Sequence, residues 1–115
     1  MKKIEKDFAQ CFGEFIDNTK TEETLAQHLV LSICAWNIAR SLDIDFPGIA
    51  KAISRRFRFH TTVFAGRQIK VETALKKLVM IKKGMFPKDK RLIDTCEITD
   101  YEDGMIFEIK LKKRI

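Results

Sequence analysis

The residues with the clearest chemical potential are a run of cations interleaved with aromatic rings. From residue 46 to residue 71 the chain carries six Lys or Arg and no Asp or Glu, and residues 55–60 read Arg-Arg-Phe-Arg-Phe-His. Cationic side chains bind phosphate and aromatic rings stack on bases, so this pattern is typical of surfaces that bind single-stranded nucleic acid. The side chains that we expect to bind nucleic acid are Lys51, Arg55, Arg58, Arg67 and Lys70.

Charge is unevenly distributed along the chain, whose formal net charge is +6. Residues 46–93 contain thirteen basic and two acidic side chains, whereas residues 94–108 contain six acidic and no basic ones. The acidic segment can fold over the basic one and neutralise it, or it can lie apart and leave a cationic surface open. In the first arrangement the arginines pair within the fold, and Phe57 is only a core residue at helical spacing.

A second group of cations follows the first along the chain. It could extend the same cationic surface, but a solvated helix face is the favoured interpretation because lysine is a good helix former and needs no ligand. The members of this group are Lys76, Lys77, Lys82, Lys83, Lys88, Lys90 and Arg91.

No motif indicates a catalytic, metal or cofactor site. His28 and His60 have no second ligand at metal-binding spacing, and the five glycines are isolated, so no glycine-rich phosphate loop is expected. The odd, widely spaced cysteines Cys11, Cys34 and Cys96 predict reduced thiols and a cytoplasmic location. A small hydrolase or nuclease, whose Asp, Glu and His residues meet only in the fold, is kept as a third functional hypothesis.

Four helices are predicted to position these side chains. Apolar residues spaced three and four apart predict helices over residues 3–17, 25–42 and 46–59, and a fourth that begins after Gly66 and ends near Gly84. Apolar residues surround the second helix on nearly all sides, which predicts that it is the central element. Its apolar run is about half as long as a membrane span requires, so no membrane association is expected.

Three local features predict how the helices begin and connect. Thr19 and Glu22 fit the capping box that opens a helix, and Asp45 can cap the third helix ahead of Pro47. Asn37, inside the apolar second helix, must find hydrogen bonds if it is buried. It could fasten a neighbouring backbone or set the register of a partner helix.

The last part of the chain changes to a period of two residues. Residues 92–99 and 105–112 flank an acidic turn and predict an antiparallel β-hairpin. A lone hairpin is marginal in water, so it must lie on the helices, gain a strand from residues 59–65, or pair with another chain. Residues 59–64 themselves could be a strand or an extended connection.

Together these patterns predict one α+β domain over residues 1–115, with about four helices, a central apolar helix and a C-terminal antiparallel hairpin. The preferred function is a non-enzymatic domain that binds nucleic acid through its basic helix face. The alternative is a protein-interaction or homodimeric module, based on the apolar second helix and the exposed hairpin edge. In such a dimer, opposite charges on the hairpin and the middle helices could pair.

Overall fold

The protein is a mixed α+β structure, as predicted. The computed structural model describes residues 3–19, 21–40, 45–57, 60–101 and 104–112, with only the backbone described at 98–101 and 104–107. Its elements follow in the order α1 (Lys3–Asp17), α2 (Glu22–Ala39), α3 (Phe46–Arg56), β1 (Thr61–Phe64), β2 (Arg67–Lys70), α4 (Val71–Met85), β3 (Ile93–Tyr101) and β4 (Gly104–Leu111). The strands form two separate antiparallel pairs, β1 with β2 and β3 with β4.

The central position predicted for α2 is confirmed by its packing. This helix contacts α1, α4 and β3, and the side chains of Leu31, Ala35 and Trp36 are fully buried. Two rings of α1 pack around Trp36, with ring centroids at 6.2 Å for Phe8 and 6.4 Å for Phe12. Burying such large rings removes more apolar surface from water than aliphatic side chains do, so this aromatic cluster anchors α1 on α2.

The start of α2 differs from the prediction by two residues. Thr21, in extended backbone, is the N-cap and its hydroxyl accepts a hydrogen bond from the Thr24 backbone N–H at 3.1 Å. Thr19 instead belongs to the turn after α1, where its N–H donates to the Ile16 carbonyl at 3.1 Å. A capping box anchored at Thr19 is therefore wrong, because that backbone is already used to close α1.

Asp45 caps α3 as predicted, with its carboxylate accepting from the Gly48 N–H at 3.4 Å, and Pro47 lies in the first turn. The helix ends at Arg56, earlier than residue 59, because Phe57 already has extended backbone angles. Ala50 is 2% exposed and faces α4, on which α3 packs.

A hairpin that the sequence did not predict precedes α4. Residues 67–70 were expected to begin the fourth helix, but they form β2 and pair with β1, with Phe64 opposite Arg67. Between the strands Ala65 and Gly66 both have positive φ, 52° and 76°. Positive φ at both central residues is typical of a type I′ turn, whose backbone twist matches the twist of the two strands that it connects. The chain therefore doubles back here, and α4 begins only at Val71.

The C-terminal hairpin β3–β4 is confirmed, and it lies on the helices, β3 on α2 and β4 on α1. The Asn37 amide donates to the Ile93 carbonyl and its oxygen accepts from the Ile93 N–H, both at 2.9 Å. The Trp36 indole donates to the Arg91 carbonyl at 2.9 Å, and the Glu5 carboxylate accepts from the Ile109 N–H at 3.2 Å. Asn37 therefore fastens a neighbouring backbone, which is one of its two predicted roles.

Candidate nucleic-acid interface

The predicted binding residues lie on two elements that both pack against α4. Lys51 and Arg55 are exposed on α3, while Arg67 and Lys70 are exposed on β2. Arg58 lies outside the described residues. Both α3 and the β1–β2 hairpin contact α4, so this helix is the common support of the four described cations.

The two cations of α3 point away from the protein interior. They are four residues apart, which places them about one helical turn from each other on one face. The opposite face of α3 carries Ala50 and the half-buried Ile53, which pack against the core. The amphipathic pattern therefore fixes where both positive charges lie, even though neither side chain has a partner among the described residues.

The two cations of β2 do not share a face. Successive strand residues point to opposite sides, so residues three apart diverge. Arg67 lies on the side of Ile69 and of its partner Phe64, which contribute to the core surface, and it extends past the end of that surface. Lys70 lies on the outer side, at the junction with α4. They can contact neighbouring phosphates along a strand, but they cannot bind one phosphate jointly.

Two lysines of α4 fill the space between these elements. Lys76 lines a cavity of about 340 Å³ together with Phe46 at the start of α3, and the Lys77 ammonium lies 5.5 Å from the centre of the Phe64 ring. Both lysines are exposed. Their exposure agrees with the solvated helix face that the sequence favours, and a binding face would have the same pattern. We call Lys51, Arg55, Arg67, Lys70, Lys76 and Lys77 together the basic face; within this group, Arg67 and Lys70 lie on opposite sides of β2.

The basic face carries uncompensated charge in the described part of the chain. From α3 through α4 the only described acidic residue is Glu72. The ion pairs between described residues lie elsewhere, joining Arg91 to Asp7 and Asp89 and joining Lys110 to Glu97. Because the acidic hairpin packs on α1 and α2, its described residues lie apart from the basic face.

Lys82 and Arg91 correct the prediction that the second group of cations is a solvated face. Lys82 is 1% exposed. Its ammonium donates hydrogen bonds to the backbone carbonyls of Phe86, at 3.1 Å, and Asp89, at 2.5 Å. The same ammonium lies 4.8 Å from the centre of the Trp36 ring. Burial lowers the pKa of Lys82. The spacing of Lys82 from Leu75 and Leu78, seven and four residues, was the available signal, since it places this lysine on the buried face of α4.

Arg91, whose side chain is 30% exposed, completes a partly buried charge network with Lys82. Its guanidinium forms ion pairs with Asp7, at 2.8 Å, and with Asp89. The hydrogen bonds from Arg91 hold the pKa of the Asp89 carboxyl below its ordinary value. Two cations and two carboxylates thus balance one another, which joins α1, the end of α4 and the start of β3. These charges are used within the fold and are not available to a partner.

The third hypothesis requires a histidine beside carboxylates, and the described residues give the surroundings of both histidines. His28 is 2% exposed. Its Nδ1 donates to the Thr24 carbonyl at 2.8 Å, since a carbonyl can only accept, and its Nε2 lies 3.2 Å from the Thr62 hydroxyl, within hydrogen-bond distance. His60 is exposed. Neither histidine bonds to a carboxylate within the described residues.

The described residues carry neither a metal-ligand cluster nor a disulfide. No group of three or more His, Cys, Asp or Glu side chains is positioned there to hold a metal ion, and no described helix is long and apolar enough to cross a membrane. The three cysteines are free. Burial is the main factor that raises the pKa of Cys11 and of Cys96 to about 11, so both thiols are protonated at neutral pH.

Comparison of the chain with protein-family models, with curated proteins and with solved structures finds no match.

Proposed function

We propose that this protein is a non-enzymatic domain that binds nucleic acid through the basic face. The observation that supports the proposal is the grouping of six exposed cations around α4, with no ion pair to any described acidic residue. Exposed, unpaired cations on adjoining elements attract a polyanion and release its counterions on binding.

A rigid support for these charges favours binding over simple solvation. The elements that bear them pack on α4, whose inner side chains Ala74, Leu75 and Leu78 are fully buried. Cations held on a packed core keep their spacing when a ligand binds, so less conformational entropy is lost than with a mobile basic tail.

An aromatic ring beside the cations favours single-stranded nucleic acid. Phe46 is half-buried and lines the cavity next to Lys76, with Met80 exposed at its edge. An unstacked base can lie over such an apolar surface while its phosphate contacts a lysine. Phe57 and Phe64 are half-buried and pack against the core, as Phe46 does, but neither lines this cavity.

The expected binding is modest in affinity and strongly dependent on salt. Four phosphate contacts on a single strand give a slope of about −3 in log K against log salt. Between about 50 and 200 mM salt the affinity should therefore fall roughly fiftyfold.

Fluorescence anisotropy with short single-stranded and duplex RNA and DNA tests the proposal. We expect the double variant K51E/R55E to lose most binding at low salt. The control K6E/K112E makes the same change in net charge at exposed residues outside the basic face, and we expect it to bind nearly as well as the wild type. Absence of wild-type binding at low salt, or equal losses in the two double variants, would contradict the proposal.

We also propose that the protein acts in the cytoplasm, since its free thiols suit a reducing compartment. A second candidate function, self-association, is favoured by a different surface on α2.

A further inference from the structure

The central helix α2 leaves part of its apolar surface uncovered. Val30, in the middle of the helix, is 50% exposed. A cavity of about 350 Å³ opens beside it toward β3, and a second of about 200 Å³ opens toward α3; Val30 and Cys34 line both. The two cavities thus adjoin at Val30 and Cys34, and we call both cavities with these two side chains the α2 groove.

The two rims of the α2 groove lie on opposite sides of Val30. At about 100° per residue, Ile33 projects about 60° to one side of Val30 and Cys34 about 40° to the other. Ile33 lines only the cavity next to β3, whereas Cys34 also lines the one next to α3. Val30 thus lies at the centre of the groove, with a strand on one side and a helix on the other.

The rims carry opposite charges. Asp94 lines the groove on the β3 side and Arg56 lines it on the α3 side, and both side chains are exposed. Neither residue forms an ion pair with a described side chain. A surface with an apolar centre and one charge of each sign at its margins is complementary to a rotated copy of itself.

We propose that the α2 groove binds a second copy of this chain in a two-fold symmetric dimer. A two-fold axis parallel to α2 brings the α3 rim of each copy against the β3 rim of the other, so that Arg56 pairs with Asp94 of the second copy twice. An axis across α2 would instead place Arg56 beside Arg56 and Asp94 beside Asp94. Charge complementarity therefore selects the arrangement in which the two α2 helices run parallel, with Val30 packed on Val30.

The dimer surface and the basic face are distinct. Arg56 borders the buried side of α3, whereas Lys51 and Arg55 project from its opposite side. Burying the α2 groove leaves the latter two exposed in each copy. The two proposals can therefore fail independently, because one depends on α2 and its rims and the other on the outer side of α3, β2 and α4.

Sedimentation equilibrium of the full chain, with charge reversals on each rim, tests the dimer. We expect the wild type to dimerise in the micromolar to high-micromolar range. Each of R56D and D94R creates two like-charge contacts and should raise the dissociation constant at least about tenfold. In an equimolar mixture of the two variants both contacts become attractive again, so heterodimers should form with nearly wild-type affinity.

Three control variants separate this effect from misfolding or from net charge. K6D and D17R make the same charge changes at exposed residues of α1, away from the groove, and should dimerise like the wild type. V30E places a charge at the centre of the groove without disturbing the core and should be monomeric, with an unchanged circular dichroism spectrum. A wild type that stays monomeric at high-micromolar concentration would overturn the proposal. So would a mixture of R56D and D94R that behaves like either variant alone, or a dimer that V30E leaves intact.

Discussion

Replacing Asn37 by Ala should destabilise the protein by separating the C-terminal hairpin from α2. The Asn37 side chain both donates to and accepts from the backbone of Ile93, at 2.9 Å in each direction. In an extended strand the N–H and C=O of one residue point to the same side, so this amide takes the place of a neighbouring strand. Ile93 is 3% exposed and cannot turn these groups fully toward water.

The magnitude follows from those two bonds. Each hydrogen bond contributes about 1 kcal/mol net, and a buried group left without a partner costs about 1–3 kcal/mol. Because Asn37 is itself half-buried, water can reach part of the space that Ala leaves. We therefore expect the free energy of unfolding to fall by about 2–4 kcal/mol, equivalent to a decrease in Tm of roughly 8–16 °C for a domain of this size.

Urea denaturation and amide hydrogen exchange would measure the effect, with Q27A as the matched control. Gln27 is a half-buried amide on the same helix, without a side-chain hydrogen bond to a described residue, and its loss should cost less than about 0.5 kcal/mol. Exchange of the Ile93 amide should accelerate in N37A but not in Q27A. If N37A and Q27A are equally stable, the reasoning that the amide holds the strand is refuted.

Two further predictions concern the partly buried charge network. K82M removes the donor to the Phe86 and Asp89 carbonyls and leaves the carboxylates in excess. The free energy of unfolding, measured by urea titration, should therefore fall by about 2–4 kcal/mol. The control K83M, at the half-buried neighbouring lysine, should lower it by less than about 0.5 kcal/mol. Asp89 has a lowered pKa because Arg91 bonds to it; its stabilising contribution is complete above the unfolded-state pKa and is lost as the pH falls through the folded-state pKa. As the pH is lowered from neutral through the folded-state pKa of Asp89, the urea midpoint of the wild type should therefore fall more steeply than that of D89N. If the two midpoints fall in parallel with pH, the reasoning is contradicted.

The helices could be predicted from the sequence because their signals are local. The apolar spacing of α1 predicted Lys3–Asp17, which are its bounds in the structure, and Asp45 with Pro47 located the start of α3. These patterns depend on residues within a few turns of one another, so no knowledge of the tertiary packing was needed. The C-terminal hairpin was also predicted, because a period of two residues on either side of an acidic turn is equally local.

The first hairpin was missed because its turn does not have the usual composition. The sequence Ala65-Gly66 places a non-glycine residue at positive φ, where Asn, Asp or Gly is common. The strands are only four residues long, too short for an alternating pattern to stand out. Packing of this hairpin against α4 overrides the local preference of Arg67–Lys70 for the helix that follows.

For the candidate site, the sequence identifies the cationic residues but does not show which of them are exposed and which are buried. Lys76 and Lys82 are both lysines of one helix, yet one is exposed and the other is enclosed by Trp36 and two carbonyls. The partners of Lys82 come from α2 and from the segment after α4, and only the tertiary fold brings them together. The α2 groove likewise depends on where β3 and α3 end beside Val30.

The attachment of the hairpin explains why its described acidic residues do not pair with the positive charge of the middle segment. Asn37 and Trp36 hold the start of β3 on α2, and Glu5 binds the backbone of β4 at Ile109. The first two bonds tie the start of β3 to α2, and the third ties β4 to α1. The described acidic residues of the hairpin, Asp94, Glu97 and Glu108, are exposed and form no ion pair with the basic face. In the dimer that we propose, Asp94 meets Arg56 of the second copy, so self-association brings neither Lys51 nor Arg55 against a described acidic residue. The described charge of the basic face is then the same in monomer and dimer, which is why we propose a polyanion as its partner.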